Sequence, residues 1–193
     1  MLRVFIKKVD VRLFYREKEN KIGGEKMPST DENLKKAFAG ESQARSKYLL
    51  YAKKAEKEGL ESISKLFRAI AEAEAIHIEN HAEAMNKVDD TVKNLQDAIE
   101  GERYEHSEMY PEFLEKARKE GVKGAAKSFR WAKEVEEGHE GLYRKAKNKA
   151  KEGKDLDEKK VFLCKGCGYT TLTEAPEVCP VCGAPKERFK EVE

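Results

Sequence analysis

The sequence predicts a mainly α protein, in which a four-helix bundle is followed by a small segment built around pairs of cysteines. Three observations lead to this fold class. Four long segments carry apolar residues at helical spacing, the second pair of segments repeats the first, and all four cysteines lie in the last thirty residues. The 193-residue chain is 39% charged and holds five prolines, a composition typical of solvated amphipathic helices.

The four helical segments run at about residues 31–58, 61–86, 91–120 and 122–151. The first follows a capping run, Ser29-Thr30-Asp31, and ends near Gly59. Pro111 falls inside the third segment, where we expect a kink or a local break. Long helices joined by short loops predict an antiparallel bundle.

The two halves of this region repeat one another. AFAGE at 37–41 corresponds to AIEGE at 98–102, and KLFRAIAEAEAIH at 65–77 corresponds to KSFRWAKEVEEGH at 127–139. The offset is 61 residues at Glu102 but 62 residues from Glu120 onward, so one residue is inserted in the third segment. Each half is therefore predicted to be a helical hairpin.

The chain divides into four predicted parts. Residues 27–150 form the bundle, 151–160 (KEGKDLDEKK) form a charged linker, and 161–193 form a domain too short to build much of a core without a metal. Residues 1–26 are an extension that ends in Gly-Gly-Glu-Lys. Codons for these four residues are purine-rich, like a ribosome-binding site, and our hypothesis is that Met27 is the native start.

The charge pattern argues against nucleic acid and membranes as partners. The net charge is only +2 and the signs are mixed, so there is no basic stripe. No run of about 18 apolar residues is present that could span a membrane. The N-terminus interrupts its apolar residues with charges and lacks the core of a secretory signal. We expect a cytoplasmic protein, in which clustered cysteines indicate a metal site before disulfides.

Glutamates at matching places in the four helices would converge on the bundle axis, with a histidine one turn beyond two of them. The set is Glu41, Glu74, His77, Glu102, Glu136 and His139. Four carboxylates and two imidazoles suit a pair of iron or manganese ions, as in ferritin-like di-iron carboxylate bundles. One Glu-x-x-His among 37 acidic residues is usually a solvated helix face. Two copies of the motif at a constant offset favour the interpretation as a metal site.

His81 and His106 have no counterpart in the other half, and we expect them at the surface or beside the ligands.

Glu105 breaks the repeat. Its counterpart at the offset of 61 is Ala44, yet Glu105 lies one turn beyond Glu102 and should also face the metals. A carboxylate is favoured by Fe(III), whereas a neutral imidazole suits Fe(II) better. We therefore expect one iron to exchange Glu105 for His77 when the site is reduced.

Two C-x-x-C pairs, CKGC at 164–167 and CPVC at 179–182, lie eleven residues apart. Gly168 and Gly183 supply a permissive backbone just after the second sulfur of each pair. The four thiolates would form a tetrahedral site for either iron or zinc, which the spacing does not distinguish. The ligands are Cys164, Cys167, Cys179 and Cys182.

These features together resemble the rubrerythrin family over residues 27 to about 193. The resemblance rests on AFAGESQARSKY, AEAEAIH, EGERYEHSEMYPEF, EVEEGH and the tail CKGCGYTTLTEAPEVCPVCGAPKERF, which is similar to rubredoxin. It implies a ferritin-like bundle with a non-haem di-iron centre and a rubredoxin-like domain with one iron on four cysteines. The ligand types alone also fit substitution by Zn or Mn. The resemblance also implies reduction of hydrogen peroxide to water in oxidative-stress defence. Electrons would come from an NAD(P)H-dependent reductase, or from rubredoxin, through the cysteine-bound iron. The family forms homodimers, some of them helix-swapped.

The resemblance also implies individual roles. It assigns bridging to Glu74 and Glu136, terminal ligation to Glu41 and Glu102, ligation of one iron to His139, and ligation of the other to Glu105 when oxidised and His77 when reduced. Tyr48 and Tyr110 would donate hydrogen bonds to the ligating carboxylates, although a buried tyrosine with a satisfied hydroxyl is the plainer interpretation of each.

Two other functions stay open at this point. The protein could handle iron as ferritin does, through a ferroxidase activity, but iron storage needs no dedicated electron entry such as a four-cysteine tail. Alternatively, the tail could be a zinc ribbon that binds a partner, which would make the protein a redox sensor. Metal analysis separates these functions, because three irons per chain favour the peroxidase and zinc in the tail favours the sensor.

Overall fold

The computed structural model describes residues 28–193, and helices account for most of the chain up to residue 151. They are α1 (Thr30–Lys57), α2 (Glu61–Ala84), α3 (Thr91–Tyr104), α4 (Tyr110–Lys119) and α5 (Lys123–Lys151), and a π-helix (Glu105–Met109) joins α3 to α4. Three short strands follow, β1 (Val161–Cys164), β2 (Thr170–Thr171) and β3 (Phe189–Val192). The predicted mainly α fold with a small cysteine-bearing domain is confirmed. The predicted extension 1–26 and the proposed start at Met27 lie outside the described residues.

The chain falls into two compact units, one ending at Lys87 and the other beginning at Val88. In the first, α1 and α2 form a hairpin whose turn contains Gly59 with a φ of 76°, a backbone conformation that favours glycine. Ser29 caps α1 as predicted: its hydroxyl accepts from the Glu32 N–H, and the Glu32 carboxylate accepts from the Ser29 N–H. Within residues 28–193, no helix is long and apolar enough to cross a membrane.

The sequence repeat is visible in the packing of each hairpin. Residues 62 positions apart build two aromatic clusters, Tyr48–Tyr51–Phe67 in the first unit and Tyr110–Phe113–Phe129 in the second. Ring centroids in the first cluster are 6.3, 6.3 and 5.6 Å apart. In the second cluster the corresponding distances are 6.3, 6.2 and 5.6 Å. The two hairpins therefore share one internal design.

The inserted residue is accommodated by the π-helix Glu105–Met109, which lies between Glu102 and Glu120, where the repeat offset changes. The N–H of Tyr110 donates to the Glu105 carbonyl five residues back, and this longer bond is how a helix absorbs one extra residue. Pro111 has no N–H to donate, so it fits directly after a widened turn in which the regular bonding is interrupted. The irregularity predicted at Pro111 thus takes the form of a π-helix immediately before it.

The small domain is a three-stranded antiparallel sheet in the order β2-β1-β3. Its buried residues are Cys164, Ala175, Cys179 and Phe189, with the Tyr169 ring packed edge-on against Phe189. Two of the four buried side chains are cysteines, which agrees with the expectation that a segment this short depends on a metal.

The predicted linker 151–160 is fastened to α5 by ion pairs. Lys145 pairs with Glu158, and Lys149 Nζ lies 2.6 Å from Asp157 Oδ2. Leu156, the residue before Asp157, is half-buried. The linker therefore holds the small domain close to α5 instead of acting as a free tether.

Candidate metal centres

The first hairpin brings Glu41, Glu74 and His77 together, and one donor atom of each lies within 4.8 Å of the others. α1 supplies Glu41, and α2 supplies the other two residues one turn apart. His77 Nδ1 lies 2.9 Å from Glu74 Oε2. We call these three residues the first donor set.

The second hairpin brings Glu102, Glu136 and His139 together with the same spacing of donor atoms, and we call them the second donor set. His139 Nδ1 lies 2.7 Å from Glu136 Oε2 and 3.9 Å from Glu102 Oε1. In both hairpins the histidine turns Nδ1 toward the glutamate one turn earlier. Nδ1 is therefore the ring nitrogen that each histidine presents to a metal, and the sequence repeat reappears as two copies of one donor set.

When no cation is bound, the groups of the second donor set shift the pKa values of one another. Burial, reinforced by the charge of Glu136, raises the pKa of Glu102 to about 7. The hydrogen bond to Glu136 raises the pKa of His139. Protons thus occupy the place that a cation would take, and a metal would displace them on binding. Carboxylate oxygens with one imidazole fit an iron or manganese ion.

Glu105 opens the π-helix beside the second donor set. Burial and then the charge of Glu136 raise the pKa of Glu105, which indicates that these two carboxylates lie near each other. Glu105 does not belong to the three donor groups found within 4.8 Å of one another in residues 28–193. The structure therefore places Glu105 next to the donor set, and its role as a metal ligand stays a prediction.

The two tyrosines assigned to the ligating carboxylates differ in their surroundings. Burial, and after it the charges of the nearby glutamates, raise the pKa of Tyr110, which places its hydroxyl near the second donor set. Tyr48 packs against Tyr51 and Phe67 in the first hairpin. A hydrogen bond from either hydroxyl to a ligating carboxylate stays a prediction.

His106 is mostly buried, with 16% of its side chain exposed, and it follows Glu105 in the π-helix. Its Nε2–H donates to Glu140 Oε2 at 2.7 Å, and Glu140 Oε1 accepts from Arg144 Nε at 2.9 Å. Sequence reasoning missed Glu140 and Arg144, because a Glu and an Arg four residues apart look like an ordinary surface pair. The signal in the sequence was a break in the repeat, since His106, Glu140 and Arg144 have no matching residues in the other half.

The four cysteines of the small domain surround one point, with all Sγ atoms within 4.8 Å of one another. The Sγ atoms of Cys164 and Cys182 are 3.7 Å apart, and those of Cys167 and Cys179 are 3.6 Å apart. These distances exceed a disulfide bond of about 2.05 Å. Sulfurs about 2.3 Å from a central tetrahedral ion would lie about 3.8 Å apart, so the positions fit one metal.

Burial disfavours ionisation of two of these thiols when no cation is bound. Burial opposes ionisation of Cys164, but N–H donors from Gly166 and Cys167 bring its pKa below the ordinary value. Burial raises the pKa of Cys167 and of Cys182. A bound metal would stabilise all four thiolates together. Gly166 fits closely, since a Cβ there would lie 3.2 Å from Cys182 Sγ.

The small domain contacts the second donor set directly. His139 Nε2 lies 3.1 Å from Thr170 Oγ1 and 3.3 Å from the carbonyl oxygen of Gly168, the residue after Cys167. Gly168 has a φ of 93°, which favours glycine at this approach. The Nδ1 atom of His139 therefore points to the carboxylates of Glu102 and Glu136, and its Nε2 atom points to Gly168 and Thr170, which follow Cys167.

We expect the metal-free protein to lose stability as the pH rises from about 4.5 to about 7. The folded-state pKa of Glu102 lies above its value of 4.5 in an unfolded chain, so its stabilising contribution is complete below 4.5 and is lost as the pH rises through 7. The raised pKa of His139 acts in the same direction. Denaturation at several pH values should show a flatter profile for Glu102→Gln and for the metal-loaded protein. An unchanged slope in the variant would contradict the assignment.

Glu136→Ala should remove metal from the helical region and leave the cysteine site loaded, because Glu136 contacts the histidine and raises the pKa of its neighbours. Loss of a group that only hydrogen-bonds a ligand costs about 10–100-fold in metal affinity, so loss of this carboxylate should cost at least as much. The helices should also be less stable. Metal analysis against Glu134→Ala, an exposed position on the same helix, provides the control. Equal metal content in both variants would rule out a ligand role.

Known proteins share both regions of the chain. Residues 32–147 match the family model described as rubrerythrin, and residues 162–190 match the rubrerythrin, rubredoxin-like domain. Rubrerythrin-2 of Clostridium acetobutylicum is 39% identical over 175 residues, which cover 83% of this chain and 95% of that protein. Nigerythrin of Nitratidesulfovibrio vulgaris is 39% identical over 178 residues, which cover 83% of this chain and 85% of that protein.

A solved structure shows the same likeness. Nigerythrin in its fully reduced, all-ferrous state superposes with a TM-score of 0.51 and 33% identity, covering 99% of this chain and 100% of that one. The predicted domain limits at residues 150 and 160 stay predictions. With carboxylate and histidine donors that fit a di-iron centre and four cysteines that fit a single iron, this chain belongs to the rubrerythrin family of ferritin-like, iron-binding oxidoreductases.

Proposed function

We propose that the protein is a peroxidase that reduces hydrogen peroxide to water with electrons that enter at the four-cysteine site. The observation that carries this proposal is the contact of His139 with Gly168 and Thr170. It joins the second donor set to the backbone that follows Cys167, within one compact unit. An iron-storing protein has no need of such a connection, and a zinc clip would have no electron to pass along it.

The bound irons would supply the electron-transfer and peroxide-reducing chemistry, and the protein orients their ligands. The Thr170 hydroxyl donates to the Gly168 carbonyl at 3.0 Å, which leaves its oxygen free to accept from His139 Nε2–H. This arrangement fixes both the tautomer and the ring orientation of His139, so Nδ1 is the ligand atom. The proposed ligands are those predicted from the sequence: Glu41, Glu74, His77, Glu102, Glu105, Glu136 and His139 for two irons, and the four cysteines for one.

We further propose that the protein acts as a homodimer in which hairpins can be exchanged. Each hairpin supplies one donor set, whereas a di-iron centre of this type uses ligands from four helices. Leu50, Leu66 and Ile76 of the first hairpin are 62%, 59% and 59% exposed. Exposed apolar residues of this size support a surface that another helical element covers.

The electron donor in this proposal is an NAD(P)H-dependent reductase, rubredoxin or both, and the protein works in the cytoplasm. Support for the compartment comes from the cysteines, because four free thiols that hold a metal persist where the environment is reducing. The physiological purpose would be removal of peroxide under oxidative stress.

Replacing Cys164 or Cys182 by Ser should stop turnover driven by the reductase, because electrons then lack their point of entry. The helical site should still react with peroxide after chemical reduction, since its ligands lie on separate elements. Steady-state assays with the reductase and single-turnover mixing with peroxide measure the two abilities separately. Glu174→Ser, at an exposed position of the same domain, is the control. Normal reductase-driven turnover by the cysteine variants would refute the relay.

Glu105→Ala should retain two irons in the helical region yet lose peroxidase activity by at least about 10-fold. The reason is the loss of the carboxylate that an oxidised iron prefers over His77. Ala44→Glu should not add a second exchanging ligand, because α1 is a regular helix from Thr30 to Lys57 and lacks the π-helix that presents Glu105.

Crystal structures of the oxidised and reduced protein test the exchange directly. An iron near His77 that keeps the same ligands in both states would contradict it, and Glu105 would then act as a further carboxylate that balances charge.

A further inference from the structure

The side chains of His106, Glu140 and Arg144 form a polar cluster that connects the π-helix to α5, and we call it the clamp. His106 Nε2–H donates to one oxygen of the Glu140 carboxylate, and Arg144 Nε donates to the other. Only 16% of the His106 side chain and 12% of the Glu140 side chain are exposed. The arginine carries a permanent charge, so the carboxylate between them makes charge-assisted hydrogen bonds, which are stronger than neutral ones.

The clamp lies in the second hairpin, which also contains the π-helix. The sequence of the first hairpin has no equivalent residues. At the offset of 62, the counterparts of Glu140 and Arg144 are Ile78 and Ala82, which cannot make these bonds. At either offset, the counterpart of His106 is not a histidine. The first hairpin has the regular helix α1 instead of a π-helix. The second hairpin therefore departs from the first in its backbone, at the π-helix, and in its side chains, at the clamp. His106 belongs to both.

Single turns of π-helix inside an α-helix often lie at functional sites. Glu105 and His106 are consecutive residues in this turn. A rotation or slide of the turn that moved His106 away from Glu140 would also move Glu105 away from the side facing Glu136. Holding the His106 side chain in place therefore also fixes the direction of the Glu105 side chain.

We propose that the clamp holds the π-helix in register against α5 and thereby positions Glu105 for metal ligation. His106, Glu140 and Arg144 are positioning residues in this proposal, because they act through Glu105 and not on the substrate. The ligand role of Glu105 belongs to the proposed function, on which the second part of this inference rests. The first part, that the clamp orders the π-helix, stands on the hydrogen bonds alone.

Hydrogen exchange on the metal-free full chain tests the first part. In His106→Leu, the amides of residues 105–110 should exchange about 10-fold faster, the effect of losing one buried hydrogen bond to a charged group. His106→Gln keeps an N–H that can reach the carboxylate and should restore most of the protection. Glu140→Gln should also accelerate exchange. Glu134→Gln should not, because it makes the same change at an exposed pair with Arg130 on α5. Unchanged exchange in His106→Leu would overturn the proposal.

The reduction potential of the iron-loaded helical site tests the second part through a double-mutant cycle. Glu105→Gln removes a carboxylate that favours the oxidised metal, so the potential should rise. His106→Leu should raise it as well, by about 59 mV if oxidised-state stabilisation falls tenfold for one electron. In the Glu105→Gln background, His106→Leu should add no further change.

Additive shifts in this cycle would overturn the positioning role, because His106 would then act independently of Glu105. An unchanged potential in Glu105→Gln would reject Glu105 as a ligand, and with it both the proposed ligand exchange and the purpose assigned to the clamp. The hydrogen-exchange result reports separately on whether the clamp orders the π-helix, so the two failures are distinguishable.

Discussion

Repulsion among carboxylates gathered on the helices is the constraint on which the rest of this structure depends. Burial and the charge of Glu136 raise the pKa of Glu102 to about 7, and the hydrogen bond to Glu136 raises the pKa of His139. Such a cluster is costly in a folded protein unless a cation replaces the protons on these groups. A similar argument applies to the small domain, where burial raises the pKa of the Cys167 and Cys182 thiols. Metal binding and folding are therefore coupled in both regions.

Much of this organisation could be predicted from the sequence, because it depends on local patterns. The capping box at Ser29, the hairpin turns at Gly59 and Gly121 and the two donor sets all follow from spacing within one helix or between adjacent helices. Even the π-helix had a signal, since a change of offset from 61 to 62 residues requires one extra residue within a continuous helix. The change of offset located this irregularity in the third helix, although its form was expected to be a kink or a local break at Pro111.

The remaining features depend on contacts between residues distant in the chain, which periodicity does not reveal. His139 meets Thr170 across 31 positions, and His106 meets Glu140 across 34. In the sequence, Glu140 and Arg144 look like one more exposed pair on a helix rich in charges, and such pairs typically contribute at most about 1 kcal/mol. Only 12% of the Glu140 side chain is exposed in the fold, which changes this interpretation.

Ion pairs between the linker and α5 also keep the small domain close to the helices. Lys145 and Lys149 lie on α5 beyond His139, and each pairs with an acidic residue of the linker. Each pair is at least partly exposed and is screened by salt, so neither alone would hold a domain. Together with the half-buried Leu156 and the contacts of His139 with Gly168 and Thr170, they restrict the movement of the small domain relative to α5. A tether of ten free residues would present the four-cysteine site to the helices only part of the time. A fastened linker keeps that site beside His139, so the relay proposed here is available without a diffusional search.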